Sequence, residues 1–226
     1  MGINMRKKIV IYGAGGFGRE VLQIIRDINK HDNNETWTPL GYLVDSEYIS
    51  TNIISGLPIL GTINWLKENS EVFVIVAIGS SSLRKKICQK INNSIGDRFA
   101  TLIHPRAWIG DQVKIGTGSI ICAGSLITTD ISIGKHTHIN IGATVGHDAS
   151  LMDYVTLNPN VSISGNTSIN NGCEIGTGSI IIPKITIGKW SIIGAGSVVT
   201  KSLPENITAV GAPAKVIKTR PSGWHL

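Results

Sequence analysis

The chain has 226 residues, 42% of them hydrophobic and 16% charged, with a formal charge of +6, 26 glycines and 5% aromatics. That is the composition of a globular protein with many tight turns. The basic residues are scattered, densest only as Arg-Lys-Lys at 6–8 and 84–86, which excludes a nucleic-acid-binding stripe and suits a protein handling phosphorylated small molecules. No run approaches about 18 apolar residues, so neither a signal peptide nor a membrane span is expected and the protein reads as cytoplasmic. Cys88, Cys122 and Cys173 form no CxxC pair and are expected as small core residues.

Residues 1–101 read as a βα domain. A buried strand at Ile9–Tyr12 leads through a glycine-rich turn into an amphipathic helix with Val21, Leu22, Ile24, Ile25 and Ile28 on one face. Further strands are predicted in "PLGYLVD" and "VFVIVAIG", the second followed by a helix in "SSSLRKKICQKIN" whose serines can cap it. A small parallel sheet flanked by helices accounts for this order. Gly13, Gly15 and Gly18 match GxGxxG between strand and helix, so with Gly16 the turn can bring backbone N–H groups close to a phosphate. The segment is too short for a doubly wound dinucleotide fold, and Asp45 lies further on than the usual spacing of about twenty residues. A mononucleotide or nucleotide-sugar site is the better reading, with a purely structural turn as the alternative.

From Ile103 to Val199 every sixth residue is aliphatic, seventeen positions in succession, and the slot four residues later is mostly small or β-branched. A period of six is neither helical nor a simple alternation, and it is the signature of a parallel β-helix. Three hexapeptides per coil give coils of 18 residues and a prism about 27 Å tall over residues 102–204. Residues 205–226 are expected to cap its end.

The stretches "IVIYGAGGFGRE", "IVAIGSSSLRKK", "LIHPRAWIG", "HINIGATVGHD" and "VGAPAK" occur in this order. Together they resemble the bacterial nucleotide-aminosugar N-acetyltransferases, the family of the bacillosamine-pathway enzyme and of proteins described as sialic acid O-acetyltransferases. The resemblance implies a Rossmann-like domain followed by a left-handed β-helix. It implies acetyl-CoA as cosubstrate, a UDP- or dTDP-linked 4-amino-4,6-dideoxy sugar as acceptor, a homotrimer, and a place in surface-glycan or O-antigen biosynthesis. It makes His147 the general base with Asp148 beside it and assigns Asn140 to the amino sugar. The sugar nucleotide falls to Gly13, Gly15, Gly16, Asp45, Gly79, Ser80 and Arg84. The coenzyme falls to Gly165, Thr156, Thr177 and Ala195, with the Gly165 N–H facing the thioester carbonyl. Two positions depart from the bacillosamine-type pattern: Phe17 replaces a histidine in the glycine-rich turn, and Thr156 replaces a second histidine near the coenzyme.

The repeat itself says where His147 points. It lies two residues after inward Val145, on an outward slot, with Gly165 one coil on. A hollow over that glycine would admit a pantetheine arm. Acyl transfer from a thioester needs a base, a donor for the developing oxyanion and alignment of the reactants. His147 suits the first role and Gly165 N–H the second. Asp148 can orient the ring only if a corner brings adjacent side chains together. His104 is expected at the domain junction, and His136 and His138 on a solvated surface. A sugar hydroxyl as acceptor is the alternative within acyl transfer. A zinc enzyme would need three converging histidines, and among 104, 136, 138 and 147 none has a stacked partner in the 18-residue register. An ice-binding surface would need threonine rows, and Thr128 and Thr129 do not recur in register.

Overall fold

The computed structural model describes residues 6–32, 36–48 and 52–226; the very start of the basic N-terminal stretch lies outside them. The N-terminal sheet runs in the order β3-β4-β2-β1-β5. At its centre β1 (Lys7–Tyr12) pairs in parallel with β2 (Trp37–Leu43) and β5 (Phe73–Val76). The hairpin of β3 (Ile53–Ile54) and β4 (Leu57–Gly61) and the short α2 (Asn64–Glu68) were not foreseen. α1 (Gly16–Asp32) buries Val21, Leu22, Ile24, Ile25 and Ile28 against Ile9, Ile11 and Ile75, while α3 (Ser81–Ile95) buries Ile87 and Ile91 with Val10 and Val74. A continuous apolar strand between two such helical faces is what a central parallel strand requires.

Each hexapeptide then supplies one two-residue strand, seventeen in all, from β6 (Leu102–Ile103) to β22 (Val198–Val199), and every pairing is parallel and offset by 18 residues. The inward residues Ile127, Val145, Ile163, Ile181 and Val199 are stacked and fully buried in one continuous core. Burying each such side chain contributes about 1.5–3 kcal/mol, and no coil could do it alone. At all fifteen corners from Gln112 to Gly196 the second turn residue has positive φ, whether it is glycine or not. That left-handed residue turns the chain from one face of the prism to the next.

The three faces differ in what stands on their outward slots. One carries Ile120, His138, Thr156, Glu174 and Ile192 and is covered by the N-terminal domain. A second carries Lys114, Ser132, Ser150, Ser168 and Thr186 and is polar. The third carries Trp108, Leu126, Thr144, Ser162, Ile180 and Val198, and leaves Trp108, Leu126 and Ile180 57%, 46% and 44% exposed.

Docking of the βα domain corrects two expectations. His136 and His138 point out of the β-helix as the register requires, but both are buried, because that outward direction is the domain interface. His136 stacks on Tyr154 and meets the edge of Phe99, and His138 lies against Phe17. His104 is at the junction as expected, its Nε2 3.1 Å from Asp27 of α1 and its Nδ1 accepting from Arg106 N–H. All three cysteines are buried.

Beyond the last coil, β23 (Ile207–Val210) continues the covered sheet in parallel, and β24 (Lys215–Thr219) turns back antiparallel to end it. The final residues fold back onto the β-helix, with His225 stacked 3.8 Å on Trp190, whose indole also lies 4.9 Å from Lys85 of α3.

Candidate active site

His147 and Asp148 form the corner between the apolar and the polar face, linking the strands Thr144–Val145 and Ser150–Leu151. Asp148 has φ 58°, the left-handed turn that every corner shares, and this brings its Oδ2 to 2.7 Å from His147 Nδ1. A carboxylate only accepts, so Nδ1 is the donor, and in the neutral ring the lone pair is on Nε2. Both side chains are more than half exposed. The imidazole rests directly on the next coil: a Cβ on Gly165 would stand 2.7 Å from Nε2 and 2.8 Å from Cε1. The hollow expected over this glycine is therefore filled by the ring itself. Gly165 does not need its glycine for a positive φ; it needs it for space. The Gly165 N–H has no acceptor among the described residues, whereas Asn166 N–H bonds His147 O.

Asn140, Thr177 and Ala195 sit at the other edge of the apolar face, on the corners shared with the covered face. Asn140 Nδ2 donates to Leu157 O, so its Oδ1 is the atom left for a ligand. Thr177 and Ala195 are exposed on successive coils, joined through Gly196 N–H to Thr177 O.

The glycine-rich turn opens on a cavity of ≈ 500 Å³ walled by Tyr12, Gly15, Phe17, Asp45, Gly79 and Leu83 among others. Its glycines have separate duties. Gly13 (φ 108°) and Gly18 allow strand, turn and helix to touch, since a Cβ on Gly18 would collide with the Gly13 carbonyl. Gly15 and Gly16 have open space around them and leave the N-terminus of α1 facing the cavity, with no acidic residue in its first turn. That end of a helix favours an anion. Asp45 receives the Tyr12 hydroxyl at 2.8 Å and Lys90 at 3.3 Å on the same oxygen, leaving Oδ2 available. Burial and the neighbouring carboxylate push the Tyr12 phenol well above its ordinary pKa, so it remains a donor. Sequence reading missed Tyr12, although its place at the end of the central strand, just before the turn, is where ligands of such sheets bind.

Two assigned residues are turned away from any ligand. Arg84, expected on the sugar nucleotide, is fully buried, and its guanidinium is spent on backbone carbonyls and hydroxyls between the domains. Thr156, expected on the coenzyme, is buried beneath the N-terminal domain and bonds Ser81 and Gly79. Both corrections have the same cause as the histidines: the covered face. Gly79 and Ser80 remain exposed. Among the described residues no group of three or more His, Cys, Asp or Glu side chains could hold a metal, and no helix is long and apolar enough to cross a membrane.

A βα domain with an anion-facing turn, docked on hexapeptide coils with a histidine–aspartate corner, is the build of a hexapeptide acyltransferase. Residues 8–91 match the PglD N-terminal domain family and residues 166–201 the bacterial transferase hexapeptide family. The chain is 33% identical over 219 residues to GDP-perosamine N-acetyltransferase of Escherichia coli O157:H7, covering 94% of this chain and 97% of that one. A mutant perosamine N-acetyltransferase from Caulobacter crescentus, solved in complex with CoA and GDP-perosamine, superposes with a TM-score of 0.84 at 32% identity, covering 92% of this chain and 96% of that one. The acetyltransferase domain of PglB from Neisseria gonorrhoeae FA1090, solved with acetyl coenzyme A, gives 0.82 at 27% identity over 94% of this chain and all of that one. The chain belongs to the nucleotide-aminosugar N-acetyltransferases, with their Rossmann-like N-terminal domain and left-handed β-helix.

Proposed function

We propose that this protein moves the acetyl group of acetyl-CoA to the amine of a nucleotide-linked 4-amino-4,6-dideoxy sugar in surface-glycan biosynthesis, with His147 as general base. The observation that carries this is the His147–Asp148 pair lying on Gly165, with Nε2 free and a backbone N–H beside it. Acetyl-CoA supplies an activated thioester. His147 Nε2 takes the proton of the attacking amine as the C–N bond forms, and Asp148 steadies the imidazolium. Gly165 N–H donates to the carbonyl oxygen as it gains charge. As the C–S bond breaks, the proton held on Nε2 is available to the departing thiolate.

The cavity at the glycine-rich turn takes the nucleotide, with its phosphates at the N-terminus of α1 and Asp45 Oδ2 on a donor of the base or ribose. Relatives named for GDP-perosamine span nearly the whole chain, so GDP joins the UDP and dTDP expected from sequence and is the first nucleotide to test. The expected coenzyme contacts, Gly165 on one edge of the apolar face and Thr177 and Ala195 on the other, are separated by that face within one chain. A coenzyme touching both runs between two copies, and the exposed Trp108, Leu126 and Ile180 provide the surface on which copies meet as a trimer.

The test is thiol release from acetyl-CoA against GDP-, UDP- and dTDP-linked 4-amino sugars and free sialic acid. Turnover of one nucleotide-linked amine is expected, and His147→Ala should lower it by about 10²- to 10⁴-fold with the melting temperature unchanged. Acetylation of sialic acid alone, or wild-type turnover in His147→Ala, would overturn the proposal.

A further inference from the structure

The buried Arg84 is not explained by acetyl transfer. Its Nε donates to His136 O at 2.9 Å, its Nη1 to Ile78 O at 2.8 Å and Gly79 O at 3.1 Å, and its Nη2 to Tyr154 O at 2.8 Å and Thr156 Oγ1 at 2.9 Å. Every one of these partners is a neutral oxygen. Burial lowers its pKa only to about 10, so the group stays charged at neutral pH. A buried charge without a bonded counter-ion is expensive, and apolar side chains of similar volume commonly serve folding as well or better.

What the guanidinium joins is specific. Ile78 and Gly79 are wall residues of the nucleotide cavity, and Leu83 and Ile87 on the same helix as Arg84 line it further. The other partners, His136 and Tyr154–Thr156, belong to two successive coils of the β-helix. A third coil joins in: Glu174 Oε1 accepts from Ser81 N–H at 2.7 Å, at the start of α3, and Ser81 Oγ lies 3.0 Å from Thr156 Oγ1. The cavity wall at Ile78–Gly79, and the start of α3 behind it, are thus held by Arg84 and by β-helix groups that are not themselves in the cavity.

We propose that Arg84 and Glu174 are positioning residues of the nucleotide site, locking the cavity wall at Ile78–Gly79 and the start of α3 behind it onto the β-helix so that nucleotide affinity depends on domain docking while coenzyme affinity does not. This rests on the reading of that cavity as the nucleotide site. Removing the clasp lets the wall relax while leaving the His147 corner, on the edge of the prism opposite the covered face, intact.

The test uses the full chain, with dissociation constants for GDP, UDP, dTDP and CoA measured by calorimetry on the wild type, Arg84→Lys and Glu174→Gln, and steady-state kinetics alongside. Lysine keeps the charge but cannot span five acceptors. Arg84→Lys is expected to weaken the preferred nucleotide, and raise KM for its sugar, about tenfold or more, with kcat and CoA affinity within about threefold. Glu174→Gln, at a partly buried site, should show the same split more weakly and serves if Arg84→Lys does not fold. A purely structural role would lower both affinities together through a smaller folded fraction, and that result, or unchanged nucleotide affinity, overturns the inference alone. A wild type that binds none of the three nucleotides overturns the reading of the cavity, and the inference with it.

Discussion

At the scale of residues, the His147 corner differs from its fourteen counterparts in chemistry rather than backbone. All of them place the second turn residue at positive φ. Only the side chains here turn that geometry into an imidazole oriented by a carboxylate 2.7 Å away. Gly165 completes the arrangement by having no side chain where the ring lies. Gly165→Ala keeps an unstrained backbone but puts a methyl 2.7 Å from Nε2, so the exposed ring must swing off its seat. We expect turnover to fall about 10- to 100-fold with little change in melting temperature. Asp148→Asn tolerates the left-handed turn and can still accept from Nδ1, so it should be milder than Asp148→Ala, which loses both the acceptor and the tolerated conformation. Wild-type rates in both Asp148 variants would remove the carboxylate from the site's design.

At the scale of elements, the covered face carries the pH dependence of the fold. Burial, reinforced by the Arg84 charge, holds His136 down to about pKa 4, and His138 is depressed by burial as well. A histidine whose folded pKa lies below its unfolded value of about 6.5 contributes full stability above 6.5, and that contribution is lost as pH falls toward the folded value. For His136 alone this amounts to about 3 kcal/mol by pH 4. His136→Phe, which retains a ring between Tyr154 and Phe99, should flatten the fall in melting temperature between pH 6.5 and 4; an unchanged slope would place the acid sensitivity elsewhere. The same face shows what the sequence could and could not reveal. The six-residue period correctly set the inward slots and the outward direction of His136, His138 and His147, but it left open the corner that joins His147 to Asp148. It could not tell which of three outward rows would be covered, because that depends on a docking between segments distant in sequence. For that reason Arg84, which looked like a ligand contact beside the "AIG" strand, is an interdomain clasp. The hairpin at 53–61 escaped notice because its strands are too short to show alternation, although Ser55–Gly56 marks its turn.

At the scale of the whole molecule, one chain holds the parts of an acetyltransferase without bringing them together. The cavity at the glycine-rich turn is lined by the N-terminal domain, which sits on the covered face, whereas the His147 corner is the far edge of the apolar face. Two copies set side by side along their apolar faces bring the His147 edge of one toward the Asn140–Thr177–Ala195 edge of the other, and closing the ring with a third copy leaves no apolar face unpaired. Leu126 and Ile180 stand on that face, exposed on coils either side of the His147 level, and neither lines the cavity at the glycine-rich turn. Leu126→Asp with Ile180→Asp would set three pairs of carboxylates into a desolvated contact, which association cannot tolerate. The double variant is expected as a monomer by light scattering, folded, still binding nucleotide within about twofold of wild type, and slower in acetyl transfer by about 10²-fold or more because the base and the acceptor now sit on separate molecules. A variant that remains trimeric would place the interface on another face, and a monomer with full activity would show that a single chain closes its own site.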